Sequence, residues 1–558
     1  MKNVLKYVGL SALLMCFALF TGSVFAQSST TGSIEGAVTD TTGAAVPGAS
    51  IRVTSPNLIS PQTAISDDNG RYKIANLPPG RYTVTVESSK GFGKFEKTEV
   101  EVNLSRNTAV EIQLTPANVG ASVTVTDTAG AGIDVSNNTT GTNVSTDQFS
   151  NLPTQRTVQS LYTIAPTVAR SGLRDASGRD RDPSVAGSSG PENNYILDGV
   201  NTTDPAFGGS GANLPFEFVQ EVEIKTGAYG AEYGRATGGI FNVITKSGGN
   251  DFHGDAFGYF TTQGLVRSTK QFPFVGSAPD GFSELDAGID VGGPISKDKL
   301  WFFGAFNPQQ RKNYFLTQQF HAPVNNKIDT PFYSGKLTWA INSNNTFTFS
   351  TFGDFTKQQG FLFGGSGFGA NPDSFQGEIQ TGGHNYIARL NSTFNPNFTG
   401  EFAFGLHYQR ANTIPLPSML PVPLVADSFA IVNSAGAVVT PTNTTAQIAA
   451  NSNFVAFVDG RGGSLQRNFI RNGFGLFSDQ DRNRVEGSAR LQTIWGKHTF
   501  KYGFEYGRNI YKINTISTGT PTTFPDTFNN TAGSGNNQMI GFRTTNNFQY
   551  FFCNGSLT

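Results

Sequence analysis

From about residue 251 onward the chain has a period of two. Phe402, Phe404, Leu406 and Tyr408 alternate with Glu401, Ala403, Gly405, His407 and Gln409, so every large apolar group falls on one face of an extended segment. Phe500, Tyr502, Phe504 and Tyr506 alternate likewise with Lys501, Gly503, Glu505 and Gly507. The pattern recurs in Tyr333, Gly335, Leu337, Trp339 and Ile341, in Phe347 and Phe349, in Tyr386, Ala388 and Leu390, and in Val485, Gly487, Ala489 and Leu491. A soluble sandwich also alternates, so connection lengths decide. Asn342-Ser343-Asn344-Asn345, Asn395-Pro396-Asn397 and Gly496-Lys497-His498 are tight turns, whereas the connections near 357–384 and 411–483 are long and polar or rich in Pro and Gly. Short turns at one end and long loops at the other predict a transmembrane antiparallel β-barrel with its long loops outside the cell. We expect about nine strands between Phe252 and Tyr511.

Residues 32–115 have a shorter rhythm. Alternating segments at Ser33 to Thr39, Ser50 to Thr54, Arg71 to Ile74, Arg81 to Glu87, Thr98 to Leu104 and Thr108 to Leu114 are separated by turns such as Asp67-Asp68-Asn69-Gly70 and Pro78-Pro79-Gly80. This predicts a β-sandwich. Asp67, Asp68 and Asn69 lack the ligand alternation and terminal Glu of a calcium loop and are read as a hairpin turn. A sugar site would need an aromatic platform, whereas Tyr72 and Tyr82 fall at alternating strand positions that packing explains.

Residues 116–250 mix polar stretches with patterned ones. Ser122-Val123-Thr124-Val125-Thr126-Asp127 is a short β-former after a Pro116 break. Val158 to Ile164 is a short amphipathic helix ended by Pro166, and Tyr195-Ile196-Leu197 is a buried strand entering an Asp198-Gly199 turn. In Val219 to Lys225, one face carries Glu221, Glu223 and Lys225 and the other Val222 and Ile224. The charged face is expected to meet water. Gly227, Gly230, Gly234, Gly238 and Gly239 mark sharp turns or close approaches to another wall. Asp198, Glu232 and Arg235 are read as structural charge pairs, with substrate contact as the alternative.

Met1 to Ala26 carries Lys2 and Lys6, an apolar run from Val8 to Phe20, and Val24-Phe25-Ala26 before Gln27. That is a cleavable signal peptide over 1–26, so Cys553 is the one cysteine expected in the exported chain, without an internal disulfide. Composition agrees with export to a membrane of strands. Charged residues are 15%, against roughly 25% in soluble domains, and Gly 65 and Phe 48 are both high. A formal charge of -1 gives no electrostatic footprint for nucleic acid.

The runs IEGAVTDTTGAAVPGASIRV and SDDNGRYKIANLPPGRYTVTV resemble the carboxypeptidase regulatory-like domain. This implies a transthyretin-like sandwich, also grouped with carbohydrate-binding-like folds, over 32–115. LPTQRTVQSLYTIAPTV from Leu152, SVAGSSGPENNYILDGVNTTDP from Ser184 and EFVQEVEIKTGAYGAEYGRATGGIFNVITKSG from Glu217 resemble, in that order, the plug domain of TonB-dependent outer-membrane receptors, in particular the Oar-like group. GGPISKDKLWFFGAF from Gly292 resembles a hairpin of the Oar-like barrel. The resemblance implies an α+β plug over 116–250, with Asp198, Gly199, Gly227, Gly234, Gly238 and Gly239 as its structural motif, and a barrel portion over 251–558. Ser122, Val123, Thr124, Val125, Thr126 and Asp127 resemble a TonB box, a segment that pairs edge to edge with a strand of the TonB-type periplasmic energy transducer. Barrels of this family have about 22 strands, which at about 29 residues each need on the order of 640 residues after the plug. Roughly 300 follow Asn250 here, and the last residues, Cys553 to Thr558, lack a terminal aromatic strand, so a partial barrel is expected.

No enzyme is indicated. His253, His321, His384, His407 and His498 are scattered without a zinc spacing, and Gly364-Gly365-Ser366-Gly367 lacks the lysine of a phosphate loop. No cofactor or metal is expected. The expected location is the bacterial outer membrane, and the expected partners are its lipid, the barrel-assembly machinery, the transducer and an extracellular ligand, with a carbohydrate or a peptide left open. Two functions fit these features: energised transport across the outer membrane, or surface adhesion through the sandwich and outer loops without transport.

Overall fold

The structure is a computed structural model. It describes residues 30–552 apart from short connecting pieces and the longer segments 127–138, 171–181, 267–278, 361–376, 428–468 and 526–537. The expected signal peptide over 1–26, Ser122, Asp127, Arg235, His321, Gly364 to Gly367 and Cys553 lie outside the described residues.

The first unit is a sandwich of eight strands: Gly32–Asp40 (β1), Ser50–Thr54 (β2), Gln62–Ile65 (β3), Arg71–Leu77 (β4), Gly80–Val86 (β5), Phe95–Val102 (β6), Asn107–Ala109 (β7) and Ile112–Leu114 (β8). One sheet is ordered β4-β1-β7, with β8 also on β1, and the other runs β3-β2-β5-β6. Alternate residues of both sheets, such as Ile34, Val38, Ile51, Val53 and Val84, fill a single core. The short β3 has no alternating apolar pattern, and Ile65 points outward, which hides it from sequence reading. Asp67 makes the expected turn: its Oδ1 accepts from Asn69 N at 2.9 Å and Arg71 N at 2.8 Å. Tyr72 and Tyr82 are buried, their hydroxyls donating to Val110 O at 2.8 Å and Pro78 O at 2.6 Å. Neither offers a ring to a sugar.

The middle unit contains Val123–Thr126 (β9), Thr140–Ser145 (β10), helices Thr146–Phe149 and Val158–Tyr162, the small pair Val168–Ala169 (β11) and Ser184–Val185 (β12), then Asn194–Leu197 (β13), Val200–Asn201 (β14), Val219–Gly227 (β15) and Ile240–Thr245 (β16). Its main sheet is ordered β10-β15-β16-β13-β14. Asp198 and Gly199 join β13 to β14 with φ of +47° and +85°, the left-handed pair that a two-residue hairpin needs.

The wall is antiparallel. Ala256–Thr262 (β17), Pro279–Ser296 (β18), Leu300–Leu316 (β19), Pro323–Asn342 (β20), Asn345–Gly353 (β21), Thr356–Gln359 (β22), Gly377–Asn395 (β23) and Phe398–Pro415 (β24) are followed by Val425–Asp427 (β25) and Phe469–Asn472 (β26), which pair with each other. Leu476–Trp495 (β27) and His498–Ser517 (β28) continue the wall, which runs β17-β18-β19-β20-β21-β23-β24-β27-β28, while β22 bridges β20 and β23 beside the path. The nine strands on the path agree with the expected number. Sequence reading misses β22 because Thr-Lys-Gln-Gln carries no apolar face. A strand of 20 residues is on the order of 66 Å long, well beyond the ~9–11 residues that cross a bilayer, so the wall projects past the membrane. Phe404 and Tyr408 point outward while Glu401, Ala403, Gly405, His407 and Gln409 are covered from inside, as the alternation predicts.

The middle unit sits against the concave face of this wall, and the two share one apolar core. Phe303, Phe332, Phe352 and Ile387 from the wall join Leu161, Tyr162, Tyr195, Phe218, Val222 and Phe241. The lumen is therefore partly dry, not uniformly wet as the polar positions suggest. The sandwich lies at the end of the wall that carries the short turns: Asn76 Nδ2 donates to Thr393 Oγ1 at 3.1 Å and Thr30 Oγ1 to Glu401 Oε2 at 3.4 Å. Among the described residues no helix is long and apolar enough to cross a membrane.

Candidate functional site

The segment singled out as a partner strand is already paired. Val123 to Thr126 run parallel to β6 in the register Phe95↔Val123 to Thr98↔Thr126 and make the outermost strand of the sheet β3-β2-β5-β6-β9. The β-branched Val-Thr repeat favours this extended pairing. Only one edge of β9 is used, and among the described residues no strand pairs with its other edge.

The strand that holds β9 leads directly into the contact between the sandwich and the middle unit. After β6 the chain turns through Asn103 to Arg106. Leu104 N donates to Glu221 Oε1 at 2.9 Å, Ser105 Oγ to Glu223 Oε2 at 3.0 Å, and Arg106 Nε to Asn143 Oδ1 at 2.9 Å. Asn143 Nδ2 adds bonds to Glu221 Oε1 at 2.6 Å and Leu104 O at 3.2 Å. Glu223 also accepts from Asn242 Nδ2 at 3.1 Å and pairs with Lys225. Glu221, Glu223 and Lys225 are 1%, 3% and 4% exposed. The charged face of β15, expected to meet water, is instead sealed beneath the sandwich. Burial is the main reason that the Glu221 carboxyl is pushed up to about 8, with Asn143 and Leu104 opposing and Glu223 and Glu101 adding to the rise.

Ion pairs tie the middle unit to the wall at several heights. Lys336 Nζ of β20 lies 3.0 Å from Asp198 Oδ1 and donates to Thr245 O at 2.7 Å. Thr245 N and Oγ1 donate to the same carboxylate at 3.0 and 2.7 Å. Burial opposes the charge on Asp198, but Lys336, Arg389 and Thr245 outweigh it and hold the carboxyl below its ordinary value. Arg482 Nη1 of β27 lies 2.7 Å from Asp204 Oδ2, its guanidinium 4.6 Å from the Phe207 ring centre. Arg156 pairs with Glu217 and, at 2.9 Å, with Asp286 of β18, and stacks 3.4 Å from the Tyr259 ring centre. Glu232 Oε1 accepts from Lys501 Nζ of β28 at 2.7 Å. Asp198 and Glu232 thus serve as charge pairs.

The glycines divide. A Cβ on Gly199 would meet Thr30 Cγ2 at 2.9 Å and Arg389 Nη1 at 3.0 Å, on Gly238 Asn193 Oδ1 at 2.4 Å, and on Gly239 Val185 Cγ2 at 2.7 Å. Gly227 and Gly234 meet nothing within 4 Å and show no left-handed φ, so neither marks a close approach, while Gly234 lies in the turn that follows Gly230. Sequence reading missed Lys336, Arg482 and Arg156 as partners. The available signal was parity: Lys336 stands inward between the apolar outward positions Gly335 and Leu337, and Arg482 shares the inward parity of Arg484 and Glu486 although its outward neighbours Asp481 and Asn483 are polar. Among the described residues no three His, Cys, Asp or Glu side chains converge as a metal-ligand set.

Comparison with known proteins matches three parts of the chain in order: residues 33–115 to the carboxypeptidase regulatory-like domain, 134–240 to the TonB-dependent receptor plug domain, and 244–314 to an outer membrane beta barrel domain. The TonB-dependent transporter Oar of Myxococcus xanthus is 34% identical over 384 residues, which is 61% of this chain and 35% of that protein. The probable TonB-dependent siderophore receptor PirA of Acinetobacter baumannii is 24% identical over 250 residues, 41% of this chain and 31% of that one. The chain spans about a third of the length of these curated relatives. Among solved structures, the outer membrane transporter YddB from Escherichia coli aligns with a TM-score of 0.45 at 11% identity, covering 74% of this chain and 57% of that one.

Proposed function

Because this chain belongs to the Oar-like TonB-dependent outer-membrane receptors, we propose that it binds an extracellular ligand at its outer loops and moves it across the outer membrane when a TonB-type periplasmic protein engages residues 122–127. The observation that carries this reading is the way the plug is fastened. It fills the concave face of the wall and is held by Asp198–Lys336, Asp204–Arg482 and Arg156–Asp286. Unseating the plug means separating these pairs together with the apolar core it shares with the wall, and that takes work. The outer membrane holds no ATP or ion gradient to supply that work, so it comes from a partner on the periplasmic side. The short-turn mouth offers a place for such a partner and an exit beside it: a cavity of about 580 Å³ between sandwich, plug and wall, bordered by Lys73, Glu232, Glu401, Arg490 and Lys501.

The test is titration of the full chain in detergent with the periplasmic domain of a TonB-type protein, followed by calorimetry. Deletion of residues 122–127 is expected to weaken binding at least tenfold. Binding that survives the deletion unchanged overturns the assignment of this segment.

A further inference from the structure

The candidate TonB box and the sandwich share one sheet, and this changes where a pull is felt. Resting on the reading that residues 122–127 engage the transducer, we propose that the sandwich is the handle of the plug. The transducer's strand adds to the open edge of β9 while β9 stays on β6, and the pull reaches the plug through the turn Asn103 to Arg106.

Three observations meet here. First, β9 already has extended geometry and one edge occupied by β6, so its remaining backbone donors and acceptors face outward in the arrangement that an incoming extended strand completes. A segment ordered beforehand does not lose its conformational freedom at the moment of binding, which favours addition over exchange. Second, the edge belongs to the unit at the short-turn mouth of the wall, the side that faces the periplasm in a barrel of this topology. Third, β6 is continuous from Phe95, paired with Val123, to Val102, next to the turn that binds Glu221, Glu223 and Asn143. Thr98 and Leu104 are six residues apart, roughly 20 Å of extended chain. Force on β9 therefore enters the strand whose far end is hydrogen-bonded both to β15, an interior strand between β10 and β16 of the plug sheet, and to Asn143 of β10. The alternative route, along residues 127–139 alone, would load only β10, the edge strand of that sheet.

The decisive experiment locks β9 to β6. Glu96 and Thr124 are register partners, and adjacent strand residues lie within the Cα separation a disulfide spans. The full chain carrying Glu96→Cys and Thr124→Cys, with Cys16→Ser and Cys553→Ser, is titrated with the transducer domain in its oxidised and reduced forms. Addition predicts affinities within about threefold of each other. Exchange of β9 from β6 to the transducer predicts a loss of tenfold or more on oxidation, restored by reduction, and overturns the proposal. Hydrogen exchange on the unmodified chain gives a second reading that does not depend on the disulfide. Addition protects the amides of 123–126 without exposing those of 95–98, whereas exchange exposes the latter and overturns the proposal. Loss of binding on deletion of 122–127 together with a tenfold oxidised defect rejects the handle and leaves the box in place; binding indifferent to the deletion rejects both.

Discussion

Lys336, inside the wall, and Asp198, at the tip of the β13–β14 hairpin, meet at 3.0 Å with side chains 4% and 0% exposed. Neither can find water when its partner is lost. Lys336→Met leaves the carboxylate buried with Thr245 N and Oγ1 still donating to it and is expected to cost about 3–5 kcal/mol, whereas Lys336→Met with Asp198→Asn recovers most of that loss. Urea unfolding of the membrane-inserted chain, read as a double-mutant cycle, measures the coupling. Additive single effects would show that the pair fastens nothing.

Glu221 makes the sandwich contact sensitive to pH. Its carboxyl is raised from an ordinary 4.5 to about 8. The docked state therefore keeps a proton that the undocked state gives up. The contribution is fully present below pH ~4.5 and is lost as pH rises through about 8, by up to a few kcal/mol. Glu221→Gln keeps an acceptor for Leu104 N and Asn143 Nδ2 and is expected to flatten this dependence. The readout is the difference in urea midpoint between pH 5 and pH 9 for the two proteins. An unchanged pH dependence in the variant assigns the effect to another group.

The outward aromatics give a test in lipid. Of Trp 3 in the chain, Trp339 and Trp495 are 42% and 77% exposed, while Trp301 is 2% exposed and donates Nε1–H to Asn250 Oδ1 at 2.9 Å. All three lie near the short-turn end, at the height of an interfacial aromatic belt. In single-tryptophan variants reconstituted with brominated lipid, Trp339 and Trp495 are expected to be quenched several-fold more strongly than Trp301. Equal quenching of all three would contradict the assigned faces.

Gly199 joins a left-handed φ to a crowded site. Gly199→Ala adds backbone strain of roughly 1 kcal/mol or more and pushes its methyl toward Thr30 and Arg389. Gly227→Ala, with open space around it, is expected to be neutral within about 0.5 kcal/mol. Thermal unfolding of the two variants side by side decides this, and equal losses would mean that neither φ nor crowding sets the cost.

What was legible in the sequence follows from period and turn chemistry. The faces of β24 and β28, the helix at Val158–Tyr162 and the Asp198-Gly199 turn are local consequences of their own residues. Contacts between distant segments were not legible. Glu221 and Leu104 are 117 residues apart, and a charged strand face reads the same whether water or another domain covers it. The pairing of β9 with β6 was hidden for the same reason: a Val-Thr alternation specifies an extended strand but not its neighbour. Parity inside the wall did carry information on Lys336 and Arg482, since a cation at an inward position must meet an anion held by whatever fills the lumen.

Phe303, Phe332, Phe352 and Ile387 of the wall complete the core of the plug. Ejecting that domain whole would wet all four, at roughly 1.5–3 kcal/mol for each side chain, in addition to the severed ion pairs. Val219, Val222 and Ile224 of β15 belong to the same core, so only an unravelling that leaves most of that strand seated spares the seam. On the proposed transport reading, the opening would then be as wide as the part of one sheet that peels away, rather than as wide as an emptied tube.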